Sequence, residues 1–190
     1  MEGGRRRTMT IHWKCPECGL DYDLISPRDA VLAVRTFPRR YRALLTHFDP
    51  DEDVDDVIRR KPAPDVWSAL EYTAHVAQVL DLMAPTIRQI ENENNPDLYF
   101  FDSDEQAAEQ RYNEWPLLRA LGEMESACAD LSSAIEFYDP AGWNRIGTFD
   151  YGQREAIDVV RNAVHEGAHH LRDVQNVLTK VRGRETRERW

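Results

Sequence analysis

Apolar residues recur along this chain mostly with the spacing of an amphipathic α-helix, not with the alternation of a β-strand. Four long stretches keep this period, and the breaks between them are rich in Asp, Asn, Pro and Gly. The stretches are expected at 26–48, 68–93, 103–135 with an interruption near 113–116, and 155–181. Four amphipathic helices of this length predict an all-α four-helix bundle, up-down with a longer crossover.

Local signals indicate where several helices begin. Ser26, followed by proline, is typical of an N-cap, and Ser68 with Glu71 has the spacing of a capping box. Asp150 is expected to cap the last helix. The connecting stretches are predicted to include a loop at 49–64 and a short extended piece at 146–151.

The last predicted helix carries four polar residues that could bind a metal, and helical phase divides them into two pairs. Its apolar residues mark a buried face centred close to Gly167, where glycine would let a neighbouring helix approach closely. Glu166 and His170 lie one turn apart on the flank of that face, so both can point into the space between helices. His165 and His169 lie on the opposite side and are expected to face water.

His75 lies inside an apolar stripe of the second helix, together with Tyr72 and Val79. A lone histidine in such a stripe is commonly a core residue that hydrogen-bonds to a carbonyl or a water. The matched pair of Glu166 and His170 on another helix favours a different interpretation. The three residues then form one metal site between the second and the last helix.

Two of the three cysteines form the sequence Cys15-Pro-Glu-Cys18 followed by Gly19, which is typical of one knuckle of a zinc ribbon. A second knuckle is absent, so a closed site would need His12 and another residue, or a second chain that supplies its own pair in a homodimer. A purely structural turn and a thiol redox pair are the alternatives. Cys128 lies on a helix with apolar neighbours and is expected to be a core residue.

Length and charge narrow the classes of protein. The 190 residues are expected to form a leader and knuckle segment at 1–25, one bundle at 26–182 and a charged tail at 183–190. The net charge of −10 disfavours nucleic acid as a partner, because the basic clusters lie only near the termini. No apolar stretch has the length of a signal peptide core or a membrane span, so we expect a cytoplasmic protein without a membrane partner.

The motifs on the second and last helices also carry a family resemblance. They are Trp67-Ser-x-x-Glu-x-x-x-His75 and Glu166-x-x-x-His170-Leu-Arg-Asp173. This combination resembles the DinB-like superfamily of metal-binding four-helix bundles, including its mycothiol-dependent maleylpyruvate isomerase branch. The resemblance covers roughly residues 26–180, and the cysteine knuckle is not part of the family pattern.

The resemblance implies a divalent metal, zinc or nickel, held by His75, Glu166 and His170. Asp173 could orient an imidazole behind the metal, or it could be a solvated charge on the helix surface. A glutamate at position 166 is what the isomerase branch carries. This favours an enzyme that acts on a small-molecule substrate as a thiol S-transferase or isomerase, with a low-molecular-weight thiol of the mycothiol or bacillithiol type. The alternatives are a non-catalytic, metal-binding stress-response bundle and a metal-dependent hydrolase.

Overall fold

The computed structural model describes residues 13–183 and confirms the all-α bundle. Four long helices build it, and two short helices and a β-hairpin lie in the connections. The elements are α1 (Pro27–Thr46), α2 (Val54–Arg59), α3 (Ala69–Asn92), α4 (Ser103–Glu109), α5 (Leu117–Glu136), β1 (Ile146–Phe149), β2 (Gly152–Glu155) and α6 (Ala156–Val181).

The four long helices are arranged so that α5 and α6 each pack against both α1 and α3. Ion pairs give the direction of α1 relative to α5. Arg35 of α1 pairs with Glu136 at the end of α5. Arg42, later in α1, pairs with the earlier Glu125, so these two helices are antiparallel.

The same reasoning shows that α3 and α5 are parallel. Gln78 of α3 donates a hydrogen bond to Glu123 of α5, and the later Arg88 pairs with the later Asp130. Parallel neighbours cannot be joined by a short turn, because the chain must return along the whole bundle. The connection between them, residues 93–116, contains α4 and is the predicted longer crossover.

Gly167 lies where α6 crosses α1, as the helical phase predicts. A Cβ atom at this position would overlap the ring of Phe37, and the hydroxyl of Tyr41 donates a hydrogen bond to the Gly167 carbonyl at 3.0 Å. Both aromatic side chains are buried. The glycine therefore sets how closely α6 approaches α1, and hence how α6 is placed in the bundle.

Helix starts agree with the sequence signals at α1 and α3 but not at α6. Ser26 and Ser68 both form complete capping boxes. Asp150, by contrast, lies in the β-turn of the hairpin, and α6 begins after Glu155 without a side-chain cap. Asp150, which resembles an N-cap in the sequence, belongs instead to the turn between the two strands of this hairpin. The stretch 49–64 is also not wholly a loop, since α2 forms within it behind the N-cap Asp53.

Residues 13–25 precede the bundle and run along α6. A bridge between Lys14 and Asp21 closes a small loop that contains both cysteines of the knuckle. The Arg172 guanidinium donates a hydrogen bond to the backbone carbonyl of Glu17. Further along, other contacts join Tyr22 and Ile25 to the first half of α6. The knuckle segment is thus a layer on α6 and not an extension of any helix.

Within residues 13–183, none of the helices combines the length and the apolar character that crossing a membrane requires.

Candidate metal centre

Two helices bring His75, Glu166 and His170 together in the bundle interior. His75 lies near the start of α3, and the other two lie one turn apart on α6. A Glu166 carboxylate oxygen is 3.5 Å from His75 Nε2 and 3.3 Å from His170 Nε2. The two imidazole ring centroids are 5.1 Å apart. The convergence that helical phase predicts for these three side chains is therefore present.

Aromatic side chains enclose the two imidazoles. The ring of Trp67 lies edge-on to His75 at 5.1 Å, and the ring of Tyr72 stacks on His170 at 5.2 Å. Phe101, from the crossover after α3, approaches His75 from a further side. These contacts restrict how the rings can rotate, so the nitrogens that face Glu166 are held in place.

Asp173 lies behind the site, one turn after His170. Its carboxylate oxygen is 2.8 Å from His170 Nδ1, the nitrogen that does not face Glu166. The same oxygen is 3.5 Å from His169 Nε2. A carboxylate in this position fixes the tautomer of an imidazole and increases its basicity as a ligand. Asp173 is consequently more than a solvated surface charge.

The electrostatics of the cluster favour a negative Glu166 and a positively charged partner. Burial alone would raise the pKa of Glu166, but hydrogen bonds from His165, His170 and His75 outweigh it and hold the pKa well below the ordinary carboxyl value. Burial likewise opposes a charged His170, yet Asp173 and Glu166 together raise its pKa to about 9. A divalent cation would take the place of the proton that these carboxylates attract.

The donor set fits a divalent transition metal. One ligand atom from each residue lies within 4.8 Å of the others, a spread that small side-chain movements would contract around an ion. Two imidazoles and one carboxylate are a ligand set that zinc accepts, and three protein ligands leave a coordination position open. Nickel also accepts imidazole and carboxylate ligands.

A cavity of about 410 Å³ adjoins this cluster, and Glu166 forms part of its wall. The cavity lies among α3, α6, the β-hairpin and the knuckle segment. Most of its lining is apolar or aromatic, including Met83, Phe100 and Phe149. Its polar lining includes Arg154 of β2, and Asp158 and Asn162 of α6. Its volume is in the range that accommodates a small-molecule ligand.

The prediction that His165 and His169 face water is wrong. Their side chains are only 13% and 17% exposed, because the knuckle segment covers that side of α6. The two histidines, Cys15 and Cys18 form a second cluster whose ligand atoms lie within 4.8 Å of one another. Helical phase identifies the side of α6 that faces the bundle, but it gives no information about a segment packed on the outside.

The sequence did contain a signal for this second cluster. A single knuckle needs two further ligands, and His165 and His169 have the spacing of four that places both on one helix face. His12, the other residue considered for the fourth position, lies outside the described residues. Cys128 is buried in the core as predicted, and burial raises its pKa to about 12.

Comparison with solved structures supports the same architecture. YfiT from Bacillus subtilis, described as a probable metal-dependent hydrolase with an unusual four-helix bundle topology, superposes with a TM-score of 0.73 over 85% of this chain and 91% of that chain, at 10% identity. TT2238, a four-helix bundle protein, matches with a TM-score of 0.56 over 80% of this chain and 99% of that chain, at 21% identity. At these identities the likeness establishes the fold.

A mycothiol-dependent maleylpyruvate isomerase matches with a TM-score of 0.62 and 15% identity. The match covers 80% of this chain but only 62% of the isomerase, so this chain spans less than two thirds of that enzyme. No protein of curated function matches the sequence. The sequence model of the DinB superfamily matches residues 34–174, which contain all three residues of the candidate centre, and the chain belongs to this superfamily.

Proposed function

We propose that this protein is a metal-dependent enzyme that uses a low-molecular-weight thiol to modify or isomerise a small electrophilic substrate. The observation that carries the proposal is the position of Glu166, which belongs both to the His75/Glu166/His170 cluster and to the wall of the cavity. A metal held by these three residues would have its open position beside a space large enough for a substrate.

Each side chain of the centre has a defined task in this proposal. His75, Glu166 and His170 hold the ion, and the Asp173 carboxylate accepts a hydrogen bond from His170 Nδ1 and so directs Nε2 toward the metal. A divalent metal in this position lowers the pKa of a bound thiol or water, so that either can act as a nucleophile near neutral pH. The aromatic rings around the two histidines limit access of bulk water.

The cavity indicates the kind of substrate. Its apolar walls favour a partly hydrophobic small molecule, and several polar side chains are available to bind that molecule's polar groups. Arg154 offers a positive charge to a carboxylate or another anionic group. Asp158 is buried, and its carboxylate lies 3.6 Å from the Arg161 guanidinium. Burial raises the pKa of Asp158 although Arg161 opposes this, which makes the group a candidate for hydrogen bonding with a substrate.

A thiol is favoured over water as the nucleophile by the ligand set. Glutamate at position 166 is the variant that the sequence shares with the isomerase branch it resembles, and one structural neighbour is an enzyme of that type. A metal-dependent hydrolase is the second candidate, because YfiT, with a larger structural overlap, is described in those words. A bundle in which the metal only stabilises the fold is the non-catalytic alternative.

The test of the centre compares His170→Ala with the wild-type protein. Loss of one imidazole from a three-residue site should remove the metal held at that site and the activity together. Elemental analysis measures the metal, and a panel of electrophiles with mycothiol, bacillithiol or glutathione measures turnover. His47→Ala is the matched control, since His47 is exposed at the end of α1 and its carbonyl contacts Arg182, about three helical turns beyond His170. Full metal content in His170→Ala would contradict the proposal.

Two further measurements distinguish the thiol-dependent enzyme, the hydrolase and the non-catalytic bundle. Consumption of an electrophile only when thiol is present identifies the transferase or isomerase, whereas thiol-independent cleavage of esters or amides identifies the hydrolase. If His170→Ala loses the metal of the triad and has a lower melting temperature, and the wild-type protein turns over none of these substrates, the structural alternative is correct.

A further inference from the structure

We propose that Cys15, Cys18, His165 and His169 form a second metal site, a closed structural zinc site that fastens the knuckle segment (residues 13–25) to the outer side of α6. The proposal does not depend on the proposed function, because it involves four other ligands and another part of the chain. It concerns a segment that the DinB superfamily match, residues 34–174, does not include.

The backbone around the two cysteines already has the form of a metal knuckle. The Cys18 N–H donates to Cys15 Sγ at 3.5 Å, and the Gly19 N–H donates to the Cys15 carbonyl at 2.9 Å. Gly19 has a φ of +75°, a conformation that residues with a side chain rarely adopt. A backbone N–H directed at a sulfur stabilises the thiolate form, which is the form that binds zinc.

The helix supplies the other two ligands. His165 and His169 are four residues apart on α6, and their ring centroids are 5.0 Å apart. His169 Nδ1 is 3.6 Å from Cys15 Sγ. One nitrogen of His165 is 3.8 Å from Glu166, and the other, Nε2, is buried and has no hydrogen-bond partner among residues 13–183. A metal ion shared with the cysteines would give that nitrogen a partner.

The distances are close to those around a tetrahedral ion, and small side-chain movements would contract the four ligand atoms onto it. Zinc bonds of about 2.0 Å to nitrogen and 2.3 Å to sulfur place neighbouring ligand atoms roughly 3.3–3.8 Å apart. The four ligand atoms already lie within 4.8 Å of one another. Two thiolates and two imidazoles select zinc over magnesium or calcium, and four protein ligands leave no position for a substrate. The expected role is therefore structural.

The site would hold one wall of the cavity. Trp13 packs edge-on against both His165 and Tyr22, and Tyr22 donates a hydrogen bond to Asn162 of α6 at 3.0 Å. Trp13 and Tyr22 both line the cavity. The segment is short and lies outside the bundle, and Tyr22 and Ile25 are among the few apolar side chains that it buries. A zinc bond to α6 at Cys15 and Cys18 would keep these two rings in place.

Both sites use α6, with their ligand pairs offset by one residue. His165 and His169 face the knuckle segment, whereas Glu166 and His170 face α3. Asp173 lies between the two sites, near His169 Nε2 and His170 Nδ1, the nitrogens that would not bind metal. One carboxylate can thus orient one histidine of each site.

The test counts metals in the purified full chain and in single variants. Elemental analysis should find two metals per chain in the wild-type protein and one in Cys15→Ser, Cys18→Ser or His169→Ala, since each removes one of four ligands. Cys128→Ala is the matched control and should retain both. His75→Ala should also lose one metal, but from the other centre, so the two proposals fail independently. Unchanged metal content in the knuckle variants would overturn the second site.

Cobalt substitution gives a second readout that needs no variant. Cobalt bound by two thiolates in a tetrahedral site produces intense sulfur-to-metal charge-transfer absorption, which a site with only nitrogen and oxygen ligands lacks. The wild-type protein should show this band, and His75→Ala should keep it. A cobalt-loaded protein without the band, or a Cys15–Cys18 disulfide in freshly purified protein, would overturn the proposal.

Discussion

At the scale of single residues, Gly167 is a position in α6 where the packing of Phe37 leaves no room for a side chain. Gly167→Ala places a methyl group against the Phe37 ring, and overpacking of this kind costs about 1–3 kcal/mol. We expect a lower urea midpoint with an unchanged slope. Gly122→Ala is the matched control, because Gly122 is a helical glycine in α5 with open space around it.

That control should move in the other direction. Replacing an unconstrained helical glycine with alanine stabilises a protein by about 0.4–1 kcal/mol, chiefly by restricting the unfolded chain. If Gly167→Ala were as stable as Gly122→Ala, the close approach of α1 to α6 would not depend on the glycine. The comparison therefore separates helix propensity from packing.

Asp173 provides a residue-scale test of metal binding that leaves the ligands in place. Asp173→Asn keeps the size of the side chain but weakens the hydrogen bond to His170 Nδ1, and loss of such a partner typically lowers metal affinity about 10–100-fold. Competition with a chromogenic chelator measures the change. Asp81→Asn, on the exposed side of α3, removes the same charge and should leave the affinity unaltered. Equal affinities in the two variants would show that Asp173 does not support the site.

At the scale of elements, the sequence contains what is needed for the four long helices and for the His75/Glu166/His170 cluster. The reason is that periodicity and capping are local properties. Ser68 caps α3 within its own turn, and the phase of α6 follows from its own apolar residues. The hairpin was missed as such because its pairing, Ile146 with Glu155 and Phe149 with Gly152, joins residues whose strand pattern is short and interrupted by glycine.

The side of α6 that carries His165 and His169 shows the limit of this reasoning. Those residues are polar and lie away from the bundle, so local pattern predicts exposure for them. What covers them is a segment more than a hundred positions earlier in the chain, and its position depends on contacts such as Tyr22 with Asn162. The sequence relates the knuckle segment to α6 through ligand chemistry and not through hydrophobicity. Two cysteines in one segment and a His-x-x-x-His pair in the other each supply only half of the four ligands that a closed zinc site needs.

At the scale of the whole molecule, α6 connects two parts that differ in how they are stabilised. On one side it belongs to a bundle with a large apolar core. On the other it holds the short knuckle segment, which buries far fewer apolar side chains than the bundle, Tyr22 and Ile25 among them, and adds hydrogen bonds and the four metal-binding side chains. Segments with few buried apolar contacts open at a lower free energy than the core. The knuckle segment should therefore be the part whose stability responds most strongly to its metal.

Limited digestion with trypsin tests this difference. Lys14 is exposed beside Cys15, and cleavage after it requires the knuckle segment to leave α6. In Cys18→Ser we expect faster cleavage at this bond, measured by intact mass, while the bundle keeps its helical circular dichroism. His75→Ala is the control: it lacks a ligand of the interior centre but retains the whole knuckle, so its Lys14 bond should be as resistant as in the wild-type protein. Equal cleavage rates in both variants would mean that the segment is held without zinc, since only one of them removes a ligand from the outer site.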